Sequence, residues 1–337
     1  MKNFSFLDKI RFATGRIANL FNNRLLVVSF ETTLSCNCNC RHCDLGGIVK
    51  DEKRIGPEDY ARIVRTLKPL VVQISGGESL LRQDIVEIVK SAKQFGGLPY
   101  TILVTNGALL NEDIYLKLKE ANLNQLSVSL DFPDKRHDDF RRHPGLFEHL
   151  EKTVPKLARH GFKDIVLNTA ITRANFREVV LLAKKAMEWG VSISYSAYTP
   201  LRTGEKKYSF EDEEDLKVLR QKIRELLELK RKTNCIINSK SVLLKTLKFL
   251  EQGCMPHCQA GLKFVVVMPD GSFVPCSMKR YKFSSLKELR EKFSRQNFCD
   301  GCCGCYVSIR CYSERSIGRE IMELPEYLKL AWGSIFE

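Results

Sequence analysis

Four cysteines fall within eight residues, Cys36-Asn37-Cys38-Asn39-Cys40-Arg41-His42-Cys43, directly after an apolar, β-branched run from Leu25 to Leu34. Cys36, Cys40 and Cys43 are separated by three residues and then by two. A short loop with that spacing folds three thiolates around one corner of an iron–sulfur cube, and thiolate is the ligand such iron prefers. Three ligands leave the fourth iron open to chelate a substrate or cofactor, which separates a catalytic cluster from a purely electron-carrying one. Cys38 is not needed for this pattern. A zinc knuckle, with Cys38 or His42 as fourth ligand, is the competing reading of the same residues, although zinc sites usually pair two such knuckles.

From Arg24 onward, strand-like and helix-like segments alternate. Apolar runs occur at 25–34, 70–75, 99–104, 125–130, 164–171 and 191–197, with helical periodicity between them, as in Pro57–Leu67, Asp84–Phe95 and Asn111–Ala121. This alternation implies parallel strands joined by right-handed crossovers. Six repeats fit an incomplete (β/α)6 TIM-like barrel better than a Rossmann sheet, though periodicity alone leaves closure open. Polar and Gly-rich residues follow the strands, at the end where parallel α/β folds build their sites. After the second run comes Ser75-Gly76-Gly77-Glu78-Ser79; paired glycines let backbone approach a ligand, and the carboxylate can accept hydrogen bonds from an amine. Thr105-Asn106-Gly107 follows the third run, and the fourth places Ser127, Ser129 and Asp131 on one face. Next stands His137-Asp138-Asp139-Phe140-Arg141.

Together these residues resemble the radical S-adenosylmethionine (radical SAM) superfamily. Its signature is the three-cysteine spacing after the first strand of a partial barrel. The resemblance implies a [4Fe–4S] cluster on Cys36, Cys40 and Cys43 that binds SAM and cleaves it to a 5′-deoxyadenosyl radical. Gly76, Gly77 and Glu78 match the family's GGEP motif for the SAM amino group, with Ser79 in place of proline. Arg141 closes an HDxxR element and would pair with the SAM carboxylate. Asn106, Ser127, Ser129 and Asp131 occupy positions that relatives use for SAM, and His42 stands where the family has an aromatic residue that packs near adenine. Phe132 replaces the glycine usual after the fourth-strand aspartate in that branch.

Thirteen cysteines in a chain read as cytoplasmic point to metal rather than to disulfides. Eight lie between Cys254 and Cys311, around the segment Phe264 to Cys276, which reads as a β-hairpin turning at Pro269-Asp270-Gly271. Cys258, Gly271, Cys276, Cys302, Cys305 and Cys311 resemble the auxiliary-cluster module called SPASM, or its shorter form, Twitch. The pattern expects a further cysteine where Arg315 stands. The resemblance implies one or two auxiliary [4Fe–4S] clusters, with Cys254 and Cys299 as further candidate ligands. A structural zinc site on Cys299, Cys302, Cys305 and Cys311 is the alternative.

The expected organisation is an N-terminal amphipathic helix (1–24), the barrel (25–201), a helical bridge (202–250) and a small Cys-rich α+β domain (251–337). Lys-, Arg-, Glu- and Leu-rich helices over 211–229 and 239–250 read as solvated. The net charge of +14 suggests an anionic partner and does not choose among them. The basic, apolar helix over 3–22 admits peripheral membrane contact, and no apolar run reaches the roughly 20 residues needed to span a bilayer. The expected activity is hydrogen abstraction from a substrate peptide or protein. A small molecule or lipid headgroup is the alternative, and a non-catalytic iron–sulfur or zinc protein the reading from another class. An electron donor such as flavodoxin or ferredoxin is implied; nucleic acid is disfavoured as a partner.

Overall fold

The computed structural model describes residues 24–93, 98–294 and 302–314, with isolated residues between 8 and 19. Most of the expected N-terminal helix therefore lies outside the described residues, as do Cys299 and Arg315. Among the residues that are described, Phe12 meets Tyr100 edge-to-face at 6.5 Å, at the start of the third strand.

Six strands follow the apolar runs closely: β1 (Val27–Glu31), β2 (Val71–Ser75), β3 (Tyr100–Thr105), β4 (Gln125–Ser129), β5 (Ile165–Ile171) and β6 (Ser192–Ala197). They pair in parallel, each with its neighbour in sequence. A doubly wound sheet would reverse direction at a switch point; this order never does, so the chain winds one way as in a barrel. The crossovers carry α1 (Pro57–Leu67), α2 (Ile85–Ala92), α3 (Glu112–Glu120), α4 (Arg136–Arg141), α5 (Leu146–Ala158) and α6 (Val179–Glu188). Starts are set by local chemistry. Pro57 occupies the first turn of α1, and Asn111 accepts a hydrogen bond from the Ile114 amide at the start of α3.

The hairpin is present, with β7 (Phe264–Val267) antiparallel to β8 (Phe273–Val274) and Gly271 at φ +85° in the turn. It does not form a separate sheet. β7 pairs in parallel with β1, so the sheet runs β6-β5-β4-β3-β2-β1-β7-β8 and the Cys-rich module is continuous with the barrel.

Helices α7 (Glu213–Lys232) and α8 (Lys240–Gln252) occupy the stretch expected to bridge two modules. Each is solvated on one side only. Leu216, Leu219, Ile223 and Leu226 of α7 form a stripe buried in the main core, joined by Val242, Leu243 and Phe249 of α8. Between them residues 235–238 run along the open edge of β6. The Ile193 amide bonds to the Cys235 carbonyl at 2.7 Å, and the Asn238 side-chain oxygen accepts from the Tyr195 amide at 2.7 Å. An edge strand is thereby covered. Among the described residues no helix is long and apolar enough to cross a membrane.

Candidate active site

Cys36, Cys40, His42 and Cys43 open on one cavity at the C-terminal ends of the strands. Its walls include Gly76 and Gly77 after β2, Thr105 and Asn106 after β3, Ser129 of β4, Arg141 of α4, Asn168 of β5 and Ser196 of β6. The cysteine loop is held from two sides. The Cys36 amide bonds to the Gly47 carbonyl at 2.9 Å, while the Asn39 and Arg41 amides bond to the carbonyls of Arg141 and Phe140 at 3.2 and 2.9 Å. The HDxxR helix therefore docks directly onto the loop.

The sulfurs are polarised by their neighbours. The Cys38 thiol, buried beside Cys36 and Cys40, hydrogen-bonds to both, which lowers the Cys36 thiol from its ordinary value and brings Cys40 down to about 7. Burial has the opposite effect on Cys43 and raises it. The Cys38 amide also lies 3.4 Å from the Cys36 sulfur, and Asn106 Nδ2 lies 3.8 Å from it on another side while donating to Asn37 Oδ1 at 2.7 Å. Among the described residues no three His, Cys, Asp or Glu side chains converge on one point as for a single ion. A cubane needs no such point, because its thiolates go to separate irons.

The paired glycines have a structural cause that the motif alone did not disclose. A Cβ on Gly76 would lie 2.2 Å from the Thr33 carbonyl oxygen, and one on Gly77 would lie 2.1 Å from that of Ser35. Only glycine lets the β2 loop lie against the cysteine loop, sealed by Gly77 N–H to Thr33 O at 2.7 Å and Glu78 N–H to Ser35 O at 2.8 Å. Glu78 itself is fully buried behind these glycines. Thr105 Oγ1 donates to its Oε1 at 2.7 Å and the Asn106 amide to its Oε2 at 2.6 Å, while burial raises its pKa.

Asp131 is completely buried; its Oδ2 accepts from Arg141 Nε at 2.7 Å and is ion-paired with Arg141 Nη2 at 2.7 Å. Burial is the largest single influence and would raise this carboxyl; the charge and hydrogen bond of Arg141, with contributions from His42 and His137, together outweigh it and hold Asp131 below the usual carboxylate range. Burial pushes His42 down to about 4 and His137 down to about 3, so both rings are neutral. His42 stacks one face on Phe140, at 4.8 Å and 9°. His42 Nδ1, Asp131 Oδ1 and His137 Nε2 are buried polar atoms without a partner, the sign of a site built for a polar ligand. Ser127, lower on β4 than Ser129, accepts from Gln125 at 2.9 Å.

The C-terminal cysteines separate into groups. Cys258, Cys276 and Cys305 are buried, and burial pushes them up to about 12, 11 and 12. Cys276 lies within electrostatic range of Cys258 and Cys302, and Cys305 within range of Cys276 and Cys302. Four thiols are thus gathered by the fold. Cys254 is joined to Cys303 as a disulfide. Cys311 sits on α9 (Ser308–Ser313), packs in the main core and directs its sulfur to the Tyr306 carbonyl at 3.3 Å. Sequence reasoning missed Arg310, which is fully buried. It donates to the carbonyls of Cys305 at 2.6 Å and Pro256 at 2.7 Å and to Glu314 at 2.7 Å, and Glu314 accepts the Gln259 amide at 2.7 Å. An arginine beside cysteines carries no sequence signal of such a role.

Residues 30–186 match the sequence model of the radical SAM superfamily. The chain carries a radical SAM domain. That domain implies a [4Fe–4S] cluster and SAM, which the three thiols, the glycine-lined wall and the unpartnered Nδ1 of the cavity-lining His42 fit. The chain is 32% identical to an AdoMet-dependent heme synthase of Methanosarcina barkeri over 53% of its own length and 51% of the relative's. It is also 32% identical to a probable GTP 3′,8-cyclase of Methanothermobacter marburgensis over 47% and 53%. It therefore spans about half the length of these curated relatives. Members of this superfamily are enzymes.

The fold resembles that of Streptococcus suis SuiB bound to precursor peptide SuiA, with TM-score 0.63, 18% identity, and coverage of 86% of this chain and 70% of SuiB. It also resembles anSMEcpe with bound AdoMet and Cp18Cys peptide, with TM-score 0.60, 20% identity, and coverage of 92% and 99%. The architecture is accordingly a partial parallel β/α barrel with a Cys-rich C-terminal region.

Proposed function

We propose that this protein is a radical SAM enzyme that abstracts a hydrogen atom from a peptide or protein substrate, with an auxiliary cluster beside the barrel. The observation that carries this reading is the convergence of Cys36, Cys40 and Cys43 on one cavity with Gly76, Gly77, Asn106, Ser129 and Arg141. Cys36, Cys40 and Cys43 would hold the first cluster, which with SAM bound supplies one-electron cleavage to a 5′-deoxyadenosyl radical.

The chain's own residues do the placing. Arg141 presents a fixed guanidinium to the cavity, held by Asp131, and suits a carboxylate bidentately. Gly76 and Gly77 keep the wall thin, while Glu78 locks that wall to the end of β3. Ser129, Asn168 and Ser196 give the interior hydrogen-bonding groups from three successive strands. Phe132, Phe140, Tyr198 and Tyr208 form an apolar cluster beside α4 that shields the Asp131–Arg141 pair from water. Cys258, Cys276, Cys302 and Cys305 are the set we assign to the auxiliary cluster, because Cys258, Cys276 and Cys305 are buried thiols within electrostatic range of one another and Cys276 and Cys305 are within range of Cys302, so a metal could replace their protons.

The peptide reading draws on the peptide-bound structural neighbours, which match most of this chain. A small-molecule substrate is the second reading, favoured by the two relatives at 32% identity. The radical SAM assignment, common to both readings, is tested by anaerobic reconstitution followed by dithionite and SAM. 5′-Deoxyadenosine should form with the wild-type chain and disappear in Cys40→Ala; its absence from the wild type would refute the assignment.

A further inference from the structure

Beyond the SAM cavity, four charged residues from four separate segments meet between the cysteine loop and the C-terminal module. Glu31 ends β1 in register with Ser75, a cavity-lining residue, and is buried. Arg280 follows Cys276 on the auxiliary side and donates from Nη2 to Glu31 Oε2 at 3.1 Å. Its Nη1 lies 3.8 Å from Asp44 Oδ2, next to Cys43. Arg202, from the loop after β6, pairs with the other oxygen of Asp44 through Nη2. The result is a line Glu31–Arg280–Asp44–Arg202 across the mouth of the barrel.

Glu31 takes Arg280 Nη2, but other guanidinium donors of the line are left over. Arg202 Nε and Arg280 Nε are buried without an acceptor, and Arg202 Nη2 is close to Asp44 without hydrogen-bond alignment. Buried guanidinium N–H groups left unpaired are costly, and the planar fork matches carboxylate and phosphate oxygens. Asp44 is the replaceable partner. Its side chain is 31% exposed, and its contacts are long or misaligned, whereas Glu31 is 3% exposed and properly bonded. Exchange of Asp44 for another oxyanion would keep the charge balance of the line.

We propose that Arg202 and Arg280 form the binding site for a carboxylate or phosphate group of the substrate, with Asp44 as the internal counter-ion which that group displaces. Calling the ligand a substrate rests on the radical SAM reading; the oxyanion site itself does not.

The test is calorimetric titration of the full-length, anaerobically reconstituted, SAM-loaded protein with inorganic phosphate and, separately, succinate. Saturable binding of one or both is expected, and the probe preferred identifies the oxyanion class. Arg202→Gln and Arg280→Gln should each weaken it about tenfold or more. Asp44→Asn should tighten it about three- to tenfold by removing the competitor, a sign that structural damage does not produce. This variant lies on a part-exposed loop side chain, so it tests the site even where an arginine variant fails to fold. Absence of saturable binding by the wild type, indifference to both arginine variants, or weaker binding by Asp44→Asn would overturn the proposal. Failure of the wild type to form 5′-deoxyadenosine would instead strike the radical SAM reading and leave the oxyanion result standing.

Discussion

The two sulfur-rich regions solve the same problem by opposite means. In the first, three candidate ligands lie within eight residues of one loop, which backbone hydrogen bonds to Gly47 and to Phe140 and Arg141 of α4 hold against the cavity. In the second, Cys258, Cys276 and the Cys302–Cys305 pair come from three separate segments, gathered by the β7–β8 hairpin, the flanking loops and the buried Arg310. Cys36 and Cys40 of the first set are polarised toward thiolate by Cys38, whereas burial raises Cys43 and, in the second set, Cys258, Cys276 and Cys305. A short motif keeps its thiols close along the chain, whereas dispersed thiols depend on the folded frame to meet.

The frame of the second region depends on Arg310. Arg310→Met should destabilise the apoprotein by about 3–5 kcal/mol, because it removes one partner of a buried ion pair and leaves Glu314 uncompensated. Denaturant unfolding measures this, and a loss below about 1 kcal/mol would show that the module does not depend on Arg310. The counterpart in the first region is Gly77→Ala. A methyl group 2.1 Å from the Ser35 carbonyl oxygen forces the two loops apart, at about 1–3 kcal/mol, and should reduce iron bound by the first set while sparing the second.

Asn106→Ala is expected to cost about 1 kcal/mol and, by removing the amide near the Cys36 sulfur, to lower the first cluster's reduction potential. A potentiometric titration followed by EPR reads the shift; an unchanged potential would make Asn106 purely structural.

The smallest effect concerns pH. Asp270, in the hairpin turn, would be raised by burial but is brought down to about 2 by hydrogen bonds from Lys282 and Ser272. Its folded pKa is below its unfolded one, so its stabilisation is present above about pH 4 and is lost as pH falls toward 2. After discounting for exposure this is about 1 kcal/mol, and it should vanish in Asp270→Asn when unfolding is compared at pH 6 and pH 3.

What the sequence discloses follows the same division. The six strands and their order were legible because buried parallel strands read as continuous apolar runs between helical repeats. The first cysteine set was legible because its geometry is local. The pairing of β7 with β1 was not, since a four-residue apolar strand carries no mark of its neighbour. Helices α7 and α8 were read as solvated because their charged residues outnumber the Leu216–Leu226 stripe that the core buries. Arg202 and Arg280 are of a kind usually found on surfaces, and only the fold brings them to Asp44.

The most direct measurement is iron per chain, with EPR, for three anaerobically reconstituted proteins: wild type, Cys36/Cys40/Cys43→Ala and Cys258/Cys276→Ala. The account predicts about eight irons in the wild type, at four per cubane, and about four in each variant. The SAM-induced spectral change should be lost only when the first set is removed. About one zinc per chain in place of iron, or loss of all iron on removing either set alone, would contradict it.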